Sequence, residues 1–263
     1  MNEEFPKLLF KYKPLSTIQD LERVIDIFRN HQIYSPTRDE LNDPLEGLAI
    51  ETSIAVCGAS IYSACDRVDP RIHSVLTKYR ILSLSTDAFS PQLWAHYSDS
   101  YSGICIGYHT DNTFSGAQKV AYLTERPPAV HEVDGIDIHQ QYFLQKESGW
   151  NYEKEWRIIE SRNHDQPKFF AYTPEDVACV VFGYKTSNTI IDIIRPYIPK
   201  TAALFCAVPG ARTFKINLIP LDIYQKHYNN MDGTTLQTIN DQATLLEYIL
   251  YFRNNINNSS QDA

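Results

Sequence analysis

The sequence predicts an α+β fold in which helices flank a mixed, mostly antiparallel sheet. Apolar residues make up 43% of the 263 residues, which is enough to bury a sizeable core. Segments in which apolar and polar residues alternate outnumber segments with helical spacing. Several neighbouring strand segments have no helix between them, and this order favours antiparallel pairing over a doubly wound parallel sheet. We expect residues 1–222 to form one α+β catalytic-like domain and residues 223–263 to form a helical appendage with a disordered tail.

The first part of the chain contains strands and helices joined by one polar loop. Ser16 and Gln19 form an S-x-x-Q capping box, which predicts the start of the first helix. Pro36 ends the second strand, and the turn-rich loop 37–47 follows it. The predicted elements are a strand at 7–15, a helix at 16–30, a strand at 31–36 and helical structure at 48–78.

The rest of the chain is richer in strands. Ile81 and Ser83 are predicted on one face of a strand, with Leu82 and Leu84 on the other. The helix that follows has Ser90 as its N-cap and proline at its first position. Further strands are predicted at 79–86, 102–109, 117–123, 168–173, 176–184 and 212–221, and further helices at 90–100, 135–148, 188–197 and 241–252.

Charge and cysteine content limit the class of protein. The net charge of −8 argues against a broad basic surface for duplex nucleic acid, although a local basic groove stays open as an alternative. The five cysteines are scattered without a C-x-x-C pair, so we expect buried thiols rather than a zinc site or disulfides. The N-terminal segment lacks the apolar run of a signal peptide, and no apolar stretch of about 18 residues is present. These features predict a soluble cytoplasmic protein that does not bind a membrane.

The first candidate site is the pair Glu153 and Glu155, in a stretch that runs from a loop into a strand. Residues two apart in a strand point to the same side, so both carboxylates are expected to face one cleft while Trp156 points into the core. Two close carboxylates repel, which raises the pKa of one and suits a general base. The alternative is a solvated strand edge on which these glutamates pair with Lys154 and Arg157.

The second candidate is Trp94, His96 and Tyr97 on the helix at 90–100. Trp94 and Tyr97 are three apart and share a helix face, which suits stacking against a planar base or nicotinamide. His96 or a serine hydroxyl would supply a hydrogen bond. The alternative is an amphipathic helix that packs half-buried on the sheet.

The third candidate is the loop with Asn42, Asp43 and Pro44, followed by Glu46. Asn and Asp form Asx-turns that hold a loop rigid, and such a loop presents donors and acceptors to a ligand. The alternative is turn formation alone. We expect no metal here, because no further ligand spacing supports one.

The fourth candidate is Lys11 and Lys13, with Tyr12 between them on the first strand. Alternation places both lysines on one side, where a basic pair attracts phosphate. The alternative is an edge strand protected by lysines. The sequence contains no Walker A loop, no G-x-G-x-x-G after a strand, no H-E-x-x-H and no G-x-S-x-G.

The order of several motifs resembles the bacterial domain of unknown function 2971 family. The resemblance covers roughly residues 8–220 and rests on N-D-P, W-x-H-Y with G-I-C-I-G, and Y-E-K-E-W-R taken together. Its segments run in the order LFKYKPL, IYSPTRDELNDPLEG, LSLST, LWAHYSDSYSGICIGY, YEKEWRI and VVFGYK. The segment after about residue 222 lies outside the resemblance. Similarity to this family implies no established activity.

The chain is also similar in architecture to ADP-ribosyltransferases, which implies an ADP-ribosyltransferase-like fold. These enzymes carry a His or Arg near the first strand, Ser or Tyr on a central strand, a tyrosine on the next helix and a catalytic Glu at the start of a late strand. Glu153-x-Glu155 is similar to the E-x-E turn of arginine-modifying members. The other matching positions are Lys11 and Tyr12 on the first strand, Ser83 and Ser85 on the central strand, Tyr97 on the helix and Gly103 before the next strand.

This second resemblance implies NAD as a co-substrate and a small nucleotide ligand or a protein acceptor as partner. Glu155 would hydrogen-bond the ribose 2′-hydroxyl and stabilise the developing oxocarbenium ion, and Glu153 would orient or deprotonate the acceptor. Tyr97 or Trp94 would stack on the nicotinamide, and the Asn42–Glu46 loop would border the cleft.

This chain has no His or Arg at the first-strand position that normally contacts the nicotinamide ribose, so Arg157 or His96 would have to replace it. By analogy, an NAD-consuming enzyme of this kind implies a role in toxicity or phage defence.

Two other classes of function fit the same residues. In a non-enzymatic binding or regulatory module, the motifs form a buried polar network that stabilises the fold. In a metal-dependent nuclease or phosphoesterase, Asp43, Glu46, Glu153 and Glu155 converge on magnesium. The expected ADP-ribosyltransferase or NAD glycohydrolase activity differs from both in depending on a carboxylate that is free to contact the substrate.

Overall fold

The fold is built on one eight-stranded mixed sheet. The computed structural model describes residues 4–48, 50–57, 60–68, 70–126, 142–162, 168–230 and 238–259. Across the sheet, the strands are β14 (Ile216–Pro220), β13 (Ala203–Pro209), β12 (Val177–Gly183), β6 (Ile104–His109), β1 (Leu8–Lys13), β5 (Tyr79–Ser85), β10 (Glu155–Ser161) and β7 (Gln118–Lys119). Neighbouring strands are antiparallel except for β12 and β13, which are parallel. The predicted α+β class with a mixed, mostly antiparallel sheet is confirmed.

Three smaller strand pairs complete the described β-structure. β2 (Gln32–Tyr34) pairs with β11 (Phe169–Ala171), and β3 (Ile50–Cys57) pairs with β4 (Ser60–Val68); both pairs are antiparallel. β8 (Ala121–Leu123) and β9 (Gln145–Glu147) run parallel.

Six helices accompany these strands in the described part of the chain. They are α1 (Ile18–Asn30), α2 (Pro70–Leu76), α3 (Pro91–Tyr97), α4 (Asn188–Ile194), α5 (Leu221–Asn230) and α6 (Gln242–Ser259). The capping box of α1 is formed by Thr17 and Asp20, so the prediction of Ser16 and Gln19 is wrong by one residue. The predicted N-cap of α3 is confirmed, because Ser90 accepts a hydrogen bond from the backbone of Leu93.

The two faces of the sheet carry separate hydrophobic cores. Alternation along β1 sends Leu9 to one face and Leu8 and Phe10 to the other. Helices α1 and α4 pack on the first face, and α3 and α6 pack on the second. Helices therefore flank the sheet on both sides, as the sequence predicts.

The predicted helical structure at 48–78 is wrong for most of its length. Strands β3 and β4 occupy residues 50–68, and only the last part of the segment is helical, in α2. β-branched residues recur through Thr52, Ile54 and Val56, which favours a strand. A short apolar run satisfies both periods, so sequence spacing did not distinguish helix from strand here.

The predicted helix at 135–148 is wrong at its C-terminal end. Residues 127–141 lie outside the described residues, residues 142–143 are helical as predicted, and β9 forms a strand at Gln145–Glu147. The predicted single strand at 117–123 is divided into β7 and β8 by Val120, whose backbone N–H donates to the backbone oxygen of Glu155 at 3.0 Å.

Two features near the C-terminus differ from expectation. β13 is a strand that the sequence analysis missed, because its apolar residues run continuously instead of alternating, as is typical of a strand buried on both faces. Helix α6 continues through Ser259, into the segment that the sequence predicts to be a disordered tail. Leu245 and Ile249 of α6 are fully buried in the second core. Within the described residues, we find no helix with the length and apolar character needed to cross a membrane.

Candidate functional site

A cavity of about 200 Å³ lies where β1 and β5 separate. These strands pair at Phe10 and Ser85 alone. Beside that pair, Lys11 Nζ donates a hydrogen bond of 2.7 Å to the backbone oxygen of Ser83, so a side chain replaces a backbone donor. Exposed Glu40 and Asn42 mark the opening of the cavity to solvent.

Most of the residues predicted to form a site line this cavity. Sequence segments far apart in the chain therefore converge on one cavity. The predicted residues in the cavity wall are Lys11, Tyr12, Asn42, Ser83, Ser85, Tyr97, Glu153, Glu155 and Arg157.

Glu155 is bound to a buried arginine two residues along β10. Arg157 Nε donates to Glu155 Oε1 at 2.8 Å, and Arg157 Nη2 donates to Glu155 Oε2 at 2.7 Å. The Arg157 side chain has no exposed surface, and its Nη1 donates to the backbone oxygen of Phe143 at 2.7 Å. Burial alone would raise the pKa of Glu155, but Arg157 and Lys146 outweigh burial and lower this pKa to about 2. Glu155 is thus a permanently ionised carboxylate with a permanent cationic partner.

Lys146 on β9 joins three carboxylates into what we call the charge cluster. Its ammonium lies 2.6 Å from Glu153, 3.3 Å from Glu155 and 3.4 Å from Glu46. Arg157 also forms an ion pair with Glu46. Burial lowers the pKa of Lys146, but the three carboxylates raise it by more. Burial is the largest influence on Glu46 and raises its pKa in spite of both cations.

Tyr97 links the charge cluster to the opening of the cavity. The Tyr97 hydroxyl donates to Glu153 Oε1, and Asn42 Nδ2 donates to the Tyr97 hydroxyl at 2.9 Å. Burial raises the pKa of Tyr97, and the adjacent carboxylate of Glu153 raises it further. The phenol therefore stays protonated and orients one oxygen of Glu153.

The predicted placement of Glu153 and Glu155 on one strand is wrong. Glu153 ends a 3-10 segment at Ser148–Glu153, Lys154 has a left-handed φ of 45°, and Glu155 begins β10. Ser85 Oγ donates to the backbone oxygen of Glu153 at 2.6 Å and holds this turn on β5. The two carboxylates still face one cavity. The turn at Lys154, and not the alternation of side chains along a strand, brings them together. The alternative of a solvated strand edge is wrong about solvent, because both glutamates are buried, but its pairing of Glu155 with Arg157 is confirmed.

Several predicted residues lie outside the cavity wall, Lys13 among them. Trp94 is fully buried, and its Nε1 donates to the backbone oxygen of Ala88 at 2.9 Å, so it does not form a stacking surface with Tyr97. His96 is exposed on α3. Asp43 accepts a hydrogen bond from the backbone of Leu45 at 2.9 Å and lines a second cavity of about 160 Å³. The hydrogen bond from Leu45 is of the kind that the turn-forming alternative predicts for Asp43.

The alternative of an edge strand protected by Lys11 and Lys13 is also wrong. β1 lies inside the sheet, between β5 and β6. The lysines therefore do not protect a strand edge. Lys11 instead occupies the gap in the ladder between β1 and β5.

Sequence reasoning missed Lys146 altogether and placed Glu46 only in the border of the cleft. Lys146 was hidden by the wrong helix prediction at 135–148. One signal was available: three buried carboxylates and a single arginine leave an excess of negative charge, which predicts a further cation.

The hydrogen-bonding capacity of Glu155 is already used. A carboxylate has about four lone-pair sites. Glu155 accepts two hydrogen bonds from Arg157 and one from Lys146, and it is also hydrogen-bonded to the Ser83 side chain. Glu153 accepts from Tyr97 and Lys146, so acceptor capacity is left on Glu153 and not on Glu155.

The charge cluster has the convergent carboxylates expected of a metal-dependent phosphoesterase, but an ammonium group occupies the space among them. Within the ranges that the structure describes, no three His, Cys, Asp or Glu side chains form a group suited to a metal ion. The chain matches no protein-family model, no curated protein and no solved structure.

Proposed function

We propose that the protein is a binding module that takes one ring-sized organic group, neutral or singly positive, into the cavity between β1 and β5. Phe10, Tyr12 and Tyr97 supply aromatic surface, and Lys11 and Asn42 supply donors. Drug-sized ligands occupy pockets of roughly 300–1,000 Å³. The volume of about 200 Å³ therefore suits a single ring, such as the base of a nucleotide, with any larger part extending past Asn42.

The charge cluster supports this choice of ligand. It contains the three carboxylates of Glu46, Glu153 and Glu155 but only two permanent cations, Lys146 and Arg157. An anionic group inside the cavity would face these carboxylates in a partly dehydrated environment in which both permanent cations are already paired. A neutral or singly positive ring does not meet that repulsion.

The observation that carries this proposal is the pairing of Glu155 with Arg157. A carboxylate that stabilises an oxocarbenium ion must have an oxygen free to approach the substrate. Both oxygens of Glu155 are held by Arg157, and one is also held by Lys146. The residue that the ADP-ribosyltransferase resemblance makes catalytic is better suited to stabilising the walls of a binding site.

The test compares benzamide with benzoate by ligand-observed NMR. The two compounds have similar shape and differ in charge, so we expect saturation transfer to benzamide and little or none to benzoate. Asn42→Trp should close the opening and abolish the benzamide signal, whereas Asn112→Trp, an exposed asparagine outside the cavity wall, should leave it unchanged. Absence of benzamide binding, or binding that is indifferent to Asn42→Trp, would contradict the proposal.

ADP-ribosyl transfer or NAD hydrolysis is a second candidate, because one observation favours it. Lys11, Ser85 and Tyr97 share a cavity with Glu153, which retains acceptor capacity. In this alternative Glu153 replaces Glu155 as the carboxylate that faces the ribose. Chromatographic measurement of NAD consumption tests it: the wild type should consume NAD, and Glu153→Gln should lower the rate by at least about tenfold. A folded wild type that neither binds nor consumes NAD would remove this candidate.

A further inference from the structure

We propose that Lys11 is a carbonyl-reactive lysine, which forms an imine with a small aldehyde or ketone held in the cavity between β1 and β5. This inference rests on the proposed binding function and adds the chemical class of the ligand. It starts from the contrast between the two lysines of the cavity wall, Lys11 and Lys146.

The two amines differ in their partners. Lys146 contacts the carboxylates of Glu46, Glu153 and Glu155, so its ammonium form is strongly stabilised. Lys11 Nζ donates a hydrogen bond to the backbone oxygen of Ser83, and among the described residues no carboxylate lies within ion-pair distance of it. An amine that lines a cavity without an anionic partner is available for reaction with a ligand.

The surroundings of Lys11 favour its neutral form. Burial is the main influence and lowers the pKa of Lys11 to about 7, and the charges of Lys13 and Arg157 act in the same direction. Glu155 and Glu153 oppose them but do not outweigh them. The neutral amine is the nucleophile in imine formation, and desolvated lysines are commonly activated in this way.

The position of Lys11 also suits attack on a bound carbonyl group. The hydrogen bond to Ser83 fixes the amine at the gap between β1 and β5, and Asn42 and Tyr97 line the same cavity. A ring seated among these side chains would hold its carbonyl substituent in the space that Lys11 faces. Enclosure of the two reacting groups would raise their effective concentration.

The reaction needs no oxidant or reductant. The nitrogen lone pair of Lys11 forms a bond to the carbonyl carbon, the C=O π pair moves to oxygen, and a proton passes from nitrogen to oxygen through water at the opening. The remaining N–H proton of the carbinolamine then passes to the hydroxyl group through water, the C–O bond breaks to release water, and the nitrogen electron pair forms the C=N bond. The amine and the carbonyl compound give an imine and one water molecule, and the imine returns to the starting materials by hydrolysis.

The test uses benzaldehyde with sodium cyanoborohydride, which reduces imines to stable amines. Full-length wild-type protein is treated at pH 7, and labelled lysines are identified by intact mass and peptide mapping. We expect the adduct at Lys11 to form at least about tenfold faster than at Lys13, because the cavity holds the aldehyde beside Lys11 and not beside Lys13. Lys13 is the matched control, since burial lowers its pKa as well but it does not line the cavity.

Variants and a competitor separate this inference from the proposed function. Lys11→Met should abolish the fast adduct, and Lys13→Met should retain both the fast adduct at Lys11 and benzamide binding. Bound benzamide should slow labelling of Lys11 in the wild type. Benzamide binding without selective labelling of Lys11 would overturn this inference and leave the proposed function standing. Equal labelling of Lys11 and Lys13 would also overturn it, and loss of benzamide binding in the wild type would overturn both.

Discussion

At the scale of single residues, the structure changes the role of Glu155 from reactive to structural. Its carboxylate lies in a bidentate pair with Arg157, and both side chains are buried. Breaking a buried ion pair by removing one charge leaves the other charge without compensation. An enzyme that used Glu155 only in the transition state would instead tolerate its neutralisation without loss of stability.

The pair Glu155 and Arg157 has a natural control in Glu160 and Arg162, which also lie two residues apart but are partly exposed. We expect Glu155→Gln to lower the free energy of unfolding by about 3–5 kcal/mol. Glu160→Gln should cost about 1 kcal/mol or less, as is typical of surface pairs. Urea denaturation measures both values. Equal losses in the two variants would show that Glu155 does not stabilise the buried cluster.

At the scale of elements, close backbone contacts join the end of α3 to the sheet. Asp99, Ser100 and Tyr101 all have positive φ, from 49° to 73°, which is unusual for residues other than glycine. The backbone N–H of Lys185 donates to the backbone oxygen of Tyr101 at 3.1 Å. This oxygen would lie only 2.0 Å from a Cβ atom built at Gly183. Glycine is therefore required at the end of β12 so that the loop after α3 can approach it.

A pair of glycine substitutions tests this contact. Gly183→Ala is expected to destabilise the protein by about 1–3 kcal/mol or more, because rigid backbone on both sides must move apart. Gly116→Ala should change stability by less than about 0.5 kcal/mol, because a Cβ atom at Gly116 would meet no atom within 4 Å. Thermal and urea unfolding report both effects. Similar stability of the two variants would contradict the close approach at β12.

At the scale of the whole molecule, the charge cluster and the cavity between β1 and β5 lie near the centre of the eight-stranded sheet. β1, β5 and β10 are adjacent, so the first strand of the chain lies next to strands that come much later. Both faces of this central region are covered by helices and loops, which keeps Lys11, Glu155 and Arg157 partly or fully away from water. The pH dependence of stability is therefore expected to report on the centre of the molecule.

Lys11 gives this pH dependence a defined sign. Its pKa is about 7 in the folded protein, against an ordinary value of 10.5 for a lysine side chain. Between pH 7 and 10.5 the unfolded chain holds a proton on Lys11 that the folded chain has released, so the free energy of unfolding rises with pH in this range. Below pH 7 the contribution of Lys11 to the free energy of unfolding no longer changes with pH. The total rise is on the order of 4 kcal/mol. Unfolding free energies measured from pH 7 to 10 should show this rise in the wild type relative to Lys11→Met. Parallel curves for the two proteins would refute the lowered pKa.

The sequence by itself determined the class of fold and many of its elements. Period-two alternation around Ile81 and Leu84 and the N-cap at Ser90 are encoded within a few neighbouring residues, and the structure has both features as predicted. Short apolar runs such as those at 50–57 satisfy helix and strand patterns equally, and their pairing partners decide between the two.

Only the tertiary structure decided what the candidate site contains. It brought Lys146 and Glu46 to the carboxylates of Glu153 and Glu155, and it withdrew Trp94 into the core. The physical reason is that helix caps and strand alternation depend on local backbone preferences, whereas the compensation of buried charge depends on residues that are distant in the chain. The sequence therefore predicted which strands and polar loops could form a site, and the folded chain decided which of its charges are already paired.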